Sequence, residues 1–172
     1  MTTQIKKCSG TNVYVIPEML SGEQCDYLIK YFSTLNKTQI LEDIPEISNA
    51  LWHYIGNKLS GIDFVDGRLG KTFNIIGIKP AITFSKAGFV FGRHIDRQLG
   101  GDAFKMLFYL NKLSAGGGTD FYEPYSDDGV YAENNIGTGV LFDIGIEHSS
   151  QPFPSGEIKY VIGVRPIINY IQ

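Results

Sequence analysis

Two of the three histidines are spaced so that they could share a metal ion with a carboxylate. His94 and Asp96 lie two residues apart in GRHIDRQ, and residues two apart in an extended chain point to the same side. His148 follows 52 residues after Asp96, at the end of the apolar run GVLFDIGIEH. Two histidines and one carboxylate, with the other coordination positions open, are the ligand set of non-haem Fe(II) oxygenases. We predict a structural role for the third histidine, His53, which lies outside this pattern.

A lysine within an apolar stretch indicates a possible anion site. Lys159 lies eleven residues after His148 in SGEIKYVIGVRP. A buried ammonium needs an anionic partner, but a position on the solvent face of an edge strand explains this stretch equally well. In a regular strand Lys159, Val161, Gly163 and Arg165 share one face. Arg165 is therefore the alternative anion ligand.

The elements that must position these residues begin with two helices. Ser21 and Gln24 form a capping-box pattern, in which each side chain bonds to a free amide of the first helical turn. Apolar residues then recur at helical spacing through Phe32. A second helix is predicted over Pro45–Leu59, because apolar residues recur every four positions and proline is favourable in a first turn.

From residue 71 onward the pattern is that of short strands. We predict strands over 72–78, 81–84, 89–94, 104–111, 119–122, 139–143 and 158–170, separated by glycine-rich turns. On the 104–111 strand, Lys105, Leu107 and Tyr109 share a face. The predicted fold class is α+β, mainly β. The 172 residues form a single domain, with a helical part at about 17–60 and a β core at about 71–172.

Composition excludes several classes of protein. With 43% hydrophobic and 19% charged residues the chain is not a disordered one. A net charge of −3 argues against general nucleic-acid binding. No apolar run approaches the length of a membrane span or a signal peptide, so we expect a soluble, cytoplasmic protein without membrane partners. Cys8 and Cys25 are predicted to be free thiols.

Five ordered motifs together resemble a known family. They are IPEMLSGEQCDYLIKYF, AGFVFGRHID, FYLNKLSAGGGTDFYEP, GTGVLFDIGIEH and SGEIKY. In this order and spacing they resemble the 2-oxoglutarate- and Fe(II)-dependent dioxygenases of the prolyl 4-hydroxylase-like branch. The resemblance implies a double-stranded β-helix (jelly roll) core with flanking N-terminal helices. It also implies Fe(II), 2-oxoglutarate and O2 as cofactors, with ascorbate as a further possibility.

The resemblance assigns roles residue by residue. It implies that His94, Asp96 and His148 are the iron ligands. It implies that Lys159 pairs with the C5 carboxylate of 2-oxoglutarate. Three further cosubstrate-binding candidates are Tyr109, Thr119 and, as the alternative cation, Arg165.

The resemblance leaves the substrate open. A prolyl residue in a protein or peptide is the first expectation, and a free amino acid or other small molecule is the second. A different class of function, a jelly-roll binding module without catalysis, is also consistent with the fold. Many relatives carry tyrosine where this chain has Phe91, which weakens the transfer of proline specificity. The segments 97–103, with Arg97, and 123–135 are predicted to contact substrate.

Overall fold

The computed structural model describes residues 2–96 and 103–171, which form two helices and eleven strands. The helices are α1 (Gly22–Thr34) and α2 (Pro45–Leu59). The strands are β1 (Gln4–Cys8), β2 (Thr11–Ile16), β3 (Gln39–Asp43), β4 (Phe64–Asp66), β5 (Lys71–Ala87), β6 (Phe104–Tyr109), β7 (Thr119–Tyr122), β8 (Gly129–Ala132), β9 (Gly139–Asp143), β10 (His148–Ser150) and β11 (Lys159–Tyr170).

The strands form two antiparallel sheets. The larger sheet has the order β1-β2-β9-β6-β11-β5-β3, and β4 pairs with β5. The smaller sheet has the order β10-β7-β8. The chain crosses between the sheets several times, so strands adjacent in space come from distant parts of the sequence. This two-sheet architecture confirms the predicted mainly β, jelly-roll class with N-terminal helices.

Each face of the larger sheet covers a separate apolar core. On β6, Met106 and Phe108 face the core that the sheet shares with the helices. Leu107 and Tyr109 face the opposite core, where the smaller sheet contributes Phe121. The central strands β2, β6 and β9 are buried on both faces, which explains their continuous apolar sequences. The helices therefore lie on one side of the large sheet and the small sheet on the other.

Both helices agree with the sequence-based prediction. The Ser21 amide donates to Gln24 Oε1 at 2.8 Å, and the Gln24 amide donates to Ser21 Oγ at 3.2 Å, which completes the capping box. Helix α2 begins at Pro45 and ends at Leu59, as predicted. The described helices contain 13 and 15 residues, so none reaches the length needed to cross a bilayer.

The strand prediction is wrong in three respects. The predicted strands 72–78 and 81–84 are parts of one strand, β5, which continues through Pro80. The predicted strand 89–94 does not form, and only an isolated bridge at His94 remains there. Phe89 is 53% exposed. The aromatic residues of this segment therefore gave the pattern of a strand although Phe89 does not pack in a core. The prediction also missed six strands. Five of them, β1, β3, β4, β8 and β10, are only three to five residues long and are mostly polar or lie at sheet edges, whereas β2 is a fully buried strand inside the large sheet.

Candidate metal centre and adjoining cavity

Two distant segments meet at His94 and His148. The His94 amide donates to the His148 carbonyl at 2.9 Å, and the His148 amide donates to the His94 carbonyl at 2.9 Å. His148 is the first residue of β10, which pairs with β7 on its other side. This single bridge sets the two imidazole rings 4.4 Å apart between centroids. The small sheet thus provides the support for both histidines.

The hydrogen bonds of the two rings leave the same nitrogen of each available. His94 Nδ1 lies 2.7 Å from the Gly92 carbonyl, and His148 Nδ1 lies 3.0 Å from the Ile146 carbonyl. Because a carbonyl oxygen can only accept, each Nδ1 carries the proton and each Nε2 keeps a free lone pair. Burial lowers the pKa of His148 to about 4, so this ring is neutral at pH 7. Neutral imidazoles of this kind are metal ligands.

Asp96 completes the cluster and is held by a lysine. Lys105 Nζ donates to Asp96 Oδ1 at 2.9 Å. Nζ is equally close to Oδ2, at 2.9 Å, but outside hydrogen-bond geometry, so Oδ2 is buried without a hydrogen bond. Burial alone would raise the pKa of Asp96, but Lys105, with Arg165 adding to it, brings that pKa below its ordinary value. Asp96 is therefore ionised and offers one unused oxygen.

These three side chains fit a metal ion. One ligand atom from each of His94, Asp96 and His148 lies within 4.8 Å of the other two. Asp96 Oδ2 is 3.8 Å from His148 Nε2. Metal–ligand distances of about 2 Å place one ion among such atoms with small side-chain rotations. Two imidazoles, that of His148 neutral, and an ionised carboxylate with an oxygen that accepts no hydrogen bond match the donor set of Fe(II) in oxygenases.

The cluster lies in the wall of a cavity of about 480 Å³. Strands β3, β5, β6 and β11 of the large sheet form one wall, and β7 and β10 of the small sheet form the other. The wall also contains Lys159, Thr119 and Ser150. A volume of this size suits a small ligand.

Lys159 is a buried cation at one end of this cavity. Its side chain is 5% exposed, so the edge-strand alternative left open by the sequence is wrong. Nζ makes two long hydrogen bonds, to the Gly118 carbonyl at 3.3 Å and to Ser150 Oγ at 3.4 Å. Burial lowers the pKa of Lys159 to about 8, and the charge of Asp120 opposes that shift. An ammonium this poorly hydrogen-bonded favours an anion beside it.

Comparison with known proteins identifies the fold. No protein-family model and no curated protein matches the sequence. Among solved structures, the viral collagen prolyl hydroxylase of Paramecium bursaria Chlorella virus-1, in a complex with 2OG, is similar with a TM-score of 0.59 and 19% identity, over 96% of this chain and 99% of that chain. A Pseudomonas putida prolyl-4-hydroxylase has a TM-score of 0.57 and 17% identity, over 91% and 92% of the two chains. The chain has the fold of the prolyl 4-hydroxylases.

A third solved structure has a similar fold. A prolyl 4-hydroxylase from Phytophthora capsici has a TM-score of 0.58 and 17% identity, over 92% of this chain and 59% of that chain. At these identities the similarity concerns the fold.

Within the prolyl 4-hydroxylase fold, the remaining predicted site residues occupy different positions. Thr119 lines the cavity, and its Oγ1 lies 2.7 Å from the Tyr109 hydroxyl. Tyr109 is fully buried behind Thr119, where burial raises its pKa, and its ring lies 5.3 Å from Lys159 Nζ. Arg165 is buried too, but it is close to Asp96 and Lys105 rather than to Lys159. The structure thus brings Tyr109 and Thr119 together with Lys159 and leaves Arg165 near the metal ligands.

The predicted substrate-contacting segments are only partly described. Arg97 and the residues to 102 lie outside the described residues, whereas 123–135 contains β8 and two turns. Arg93 connects that second segment with the metal centre. Its guanidinium forms ion pairs with Asp127 at 2.9 Å and with Glu147, the residue before His148, at 2.8 Å. Phe91 lines the cavity, as its place near His94 implies.

Sequence reasoning missed one residue of the site, Lys105. Lys105 shared a predicted face with Leu107 and Tyr109, but nothing in the sequence connected it with Asp96. Its presence in the apolar strand FKMLFY was the available signal, since a charge in a fully buried strand requires a partner. The cysteines are free and buried as expected, and burial raises the pKa of each thiol to about 11. His53 is exposed on α2.

Proposed function

We propose that the protein is an Fe(II)- and 2-oxoglutarate-dependent dioxygenase that hydroxylates a C–H bond. One observation carries the proposal: the cluster of His94, Asp96 and His148 and the buried cation Lys159 share one cavity. A metal site alone would fit many proteins. A metal site with a buried cation across a cavity fits a cosubstrate that chelates metal at one end and carries a carboxylate at the other.

Different residues of this chain would hold the metal ion and the C5 carboxylate of 2-oxoglutarate. His94 and His148 would hold Fe(II) through Nε2, and Asp96 through Oδ2. At the other end Lys159 would pair with the C5 carboxylate of 2-oxoglutarate, with the Thr119 hydroxyl as a second donor. Tyr109 keeps Thr119 oriented through its 2.7 Å hydrogen bond. Lys159 is buried, and burial strengthens charge pairing because it lowers the effective dielectric constant around the ammonium.

The proposed reaction class follows from Fe(II) and 2-oxoglutarate, the groups that the residues of this cavity would bind. Bound Fe(II) and 2-oxoglutarate supply the activation of O2 and the oxidation of a substrate C–H bond, with succinate and CO2 as coproducts. The protein contributes orientation and a dry cavity. Ascorbate, which could keep the metal reduced, belongs to the proposal as an accessory reductant.

The proposed substrate group is a prolyl residue. This part of the proposal is supported by the solved structures of the same fold, which are named as prolyl hydroxylases. Phe91 at the cavity wall removes a hydroxyl that many relatives have near the first iron ligand. We therefore treat free proline and other free amino acids as the second class of substrate to be tested.

An anaerobic titration tests the proposed function. Addition of Fe(II) and then 2-oxoglutarate to the metal-free protein should give the visible charge-transfer band of chelated 2-oxoglutarate, saturating with one equivalent of metal. Asp96→Ala should abolish the band because it removes the anionic ligand. Lys159→Met should keep the metal site but weaken 2-oxoglutarate binding by about tenfold or more, the cost of a lost charge-assisted hydrogen bond.

A matched control separates the site from general effects of charge loss. Lys30→Met removes a lysine on the exposed side of α1 and should titrate as the wild-type protein does. A folded wild-type protein that gives no band with Fe(II) and 2-oxoglutarate would contradict the dioxygenase proposal. It would favour the alternative of a jelly-roll module that binds ligands without catalysis.

A further inference from the structure

The cavity contains a second buried lysine that cosubstrate binding does not use. Lys105 is 9% exposed and lines the cavity from β6. Its ammonium lies beside Asp96, whereas that of Lys159 lies beside the Gly118 carbonyl and Ser150. The two lysines therefore mark different parts of the same cavity.

The ammonium of Lys105 keeps an unused hydrogen-bond donor. Among the described residues, Asp96 is its only hydrogen-bond partner, through Oδ1 at 2.9 Å. An ammonium group has three N–H donors, and Asp96 Oδ2 also lies 2.9 Å from Nζ, so at least one donor is not engaged by any described residue. Asp96 supplies one anion for this buried cation, and the remaining donor favours a polar or anionic ligand in the cavity.

The charges that line the cavity also favour an added anion. Among the described lining residues, the ionised side chains are Asp96, Lys105 and Lys159, which leaves one positive charge in excess. The two positive charges of a ferrous ion and the two negative charges of 2-oxoglutarate cancel. The described lining residues therefore keep their excess positive charge when the cavity is loaded, and the charge of the nearby Asp120 acts on Lys159 rather than on Lys105.

A glycine on the neighbouring strand makes room for the lysine side chain. A Cβ atom at Gly163 would lie 2.9 Å from Lys105 Cε and 2.3 Å from Thr83 Oγ1. Both distances are shorter than real Cβ contacts, so a larger residue at position 163 would require Thr83 and Lys105 to shift. The absence of a side chain at Gly163 thus leaves room for Lys105 at its observed place.

We propose that Lys105 binds a carboxylate of the substrate, so that the substrate is a carboxylic acid, such as a free amino acid or a C-terminal residue, rather than an internal residue of a neutral chain. This inference rests on the proposed dioxygenase function and narrows its substrate class. It is compatible with proline as the hydroxylated ring, provided that the ring carries a free carboxylate. In this role Lys105 holds Asp96 with one donor and the substrate with another.

Matched acids and amides test the proposal. The probes are the standard free amino acids and Gly-Pro, each compared with its carboxamide. The readout is the 2-oxoglutarate consumed above the substrate-free rate. At least one acid should stimulate consumption, with a kcat/KM about tenfold or more above that of its amide. Lys105→Met should abolish this preference for the acid, and Lys105→Arg should retain much of it.

The acid-to-amide ratio distinguishes substrate binding from a role confined to Asp96. Both probes of a pair use the same metal centre, so a disturbed Asp96 would lower both rates and leave the ratio unchanged. Lys30→Met is the matched control and should keep the wild-type ratio. A binding readout accompanies the rates: isothermal titration of the stimulating acid into anaerobic protein loaded with Mn²⁺ and 2-oxoglutarate should show binding that Lys105→Met weakens.

Three results would overturn the inference. The first is that no acid stimulates consumption or binds to the loaded protein. The second is an acid-to-amide ratio that Lys105→Met leaves unchanged. The third is a loss of 2-oxoglutarate affinity in Lys105→Met as large as in Lys159→Met, which would make Lys105 a cosubstrate ligand. Each assumes that the charge-transfer band forms, because its absence would instead contradict the proposed function itself.

Discussion

Burial sets the charge of the residues that line the cavity. His148 is kept neutral, which leaves its Nε2 available for a metal, while Asp96 is kept ionised by Lys105. Lys159 changes its charge near neutral pH, because burial lowers its pKa to about 8. Each of these charge states suits one step of cofactor binding, and each can be tested by changing the pH.

The affinity for 2-oxoglutarate should depend on the protonation of Lys159. Only the ammonium form attracts the carboxylate, so the Kd should be constant below pH 8 and should rise about tenfold per pH unit above it. Charge-transfer titrations at a series of pH values measure this. Lys159→Arg should remove the rise, because a guanidinium stays charged throughout. A Kd that rises equally in both proteins would contradict this assignment.

The stability of the metal-free protein should depend on the neutral form of His148. Its pKa is lowered from 6.5 to about 4 in the folded protein, so the unfolded chain binds more protons between these values. The free energy of unfolding should therefore fall by up to about 3 kcal/mol as the pH drops from 6.5 to 4. Denaturant unfolding of the wild type and of His148→Gln measures the difference. An equally steep loss in the variant would assign the effect to other groups.

At the scale of elements, the cavity depends on strands that are distant in sequence. The long antiparallel pair of β5 and β11 carries Lys159 at the beginning of β11, opposite Ala87 at the end of β5. The metal ligands come instead from β10 and from a segment joined to it by one bridge. The helices contact the large sheet on the face opposite the small sheet. Changes in the helices should therefore affect stability without affecting the site.

The capping box of α1 tests this separation. Ser21→Ala removes the acceptor of the Gln24 amide and should lower the free energy of unfolding by about 1 kcal/mol. The metal and 2-oxoglutarate affinities should stay at the wild-type values. Ser33→Ala, an exposed position in the last turn of the same helix, is the matched control and should leave stability nearly unchanged. A loss of metal affinity in Ser21→Ala would show that the two faces of the sheet are coupled.

At the scale of the whole molecule, the two apolar cores have different tasks. The core under the helices contains Phe32, whose ring stacks on Phe84 at 4.3 Å between centroids. The core between the sheets contains Phe121, which lies 5.0 Å from the ring of Phe142 and 6.0 Å from that of His148. Phe32 and Phe121 are both fully buried. The second core therefore contacts a metal ligand directly, whereas the first contributes Phe84 and Ile40 to the cavity wall but contacts no metal ligand through Phe32.

Matched core substitutions should separate these tasks. Phe121→Leu and Phe32→Leu should each lower the free energy of unfolding by about 1 to 2 kcal/mol, since each leaves a small cavity. Phe121→Leu alone should also weaken metal binding, because it loosens the packing around His148. Chemical denaturation and a metal titration of both variants provide the test. Equal metal affinities in the two variants would contradict a supporting role for the core between the sheets.

The candidate site was visible in the sequence only as separate parts. Helix α2 and strands β7 and β9 appear at their predicted residues, because local periodicity and turn chemistry specify them. The strand predicted at 89–94 failed because an aromatic-rich segment at the cavity mouth has the same local pattern as a strand. The short strands β1, β3, β4, β8 and β10 were missed because their pairing supplies what their sequences do not show, and β2 was missed although its apolar residues are buried inside the large sheet.

The sequence by itself determined which chemical groups are available, namely the types and order of His94, Asp96, His148 and Lys159. It also determined the apolar patterns of the strands that carry them. Only the tertiary structure decided which charges face each other. Alternation along β6 placed Lys105 on a face, but its meeting with Asp96 depends on how the chain crosses between the two sheets. Such long-range pairing is decided by packing and loop closure, which leave no local signature in the sequence.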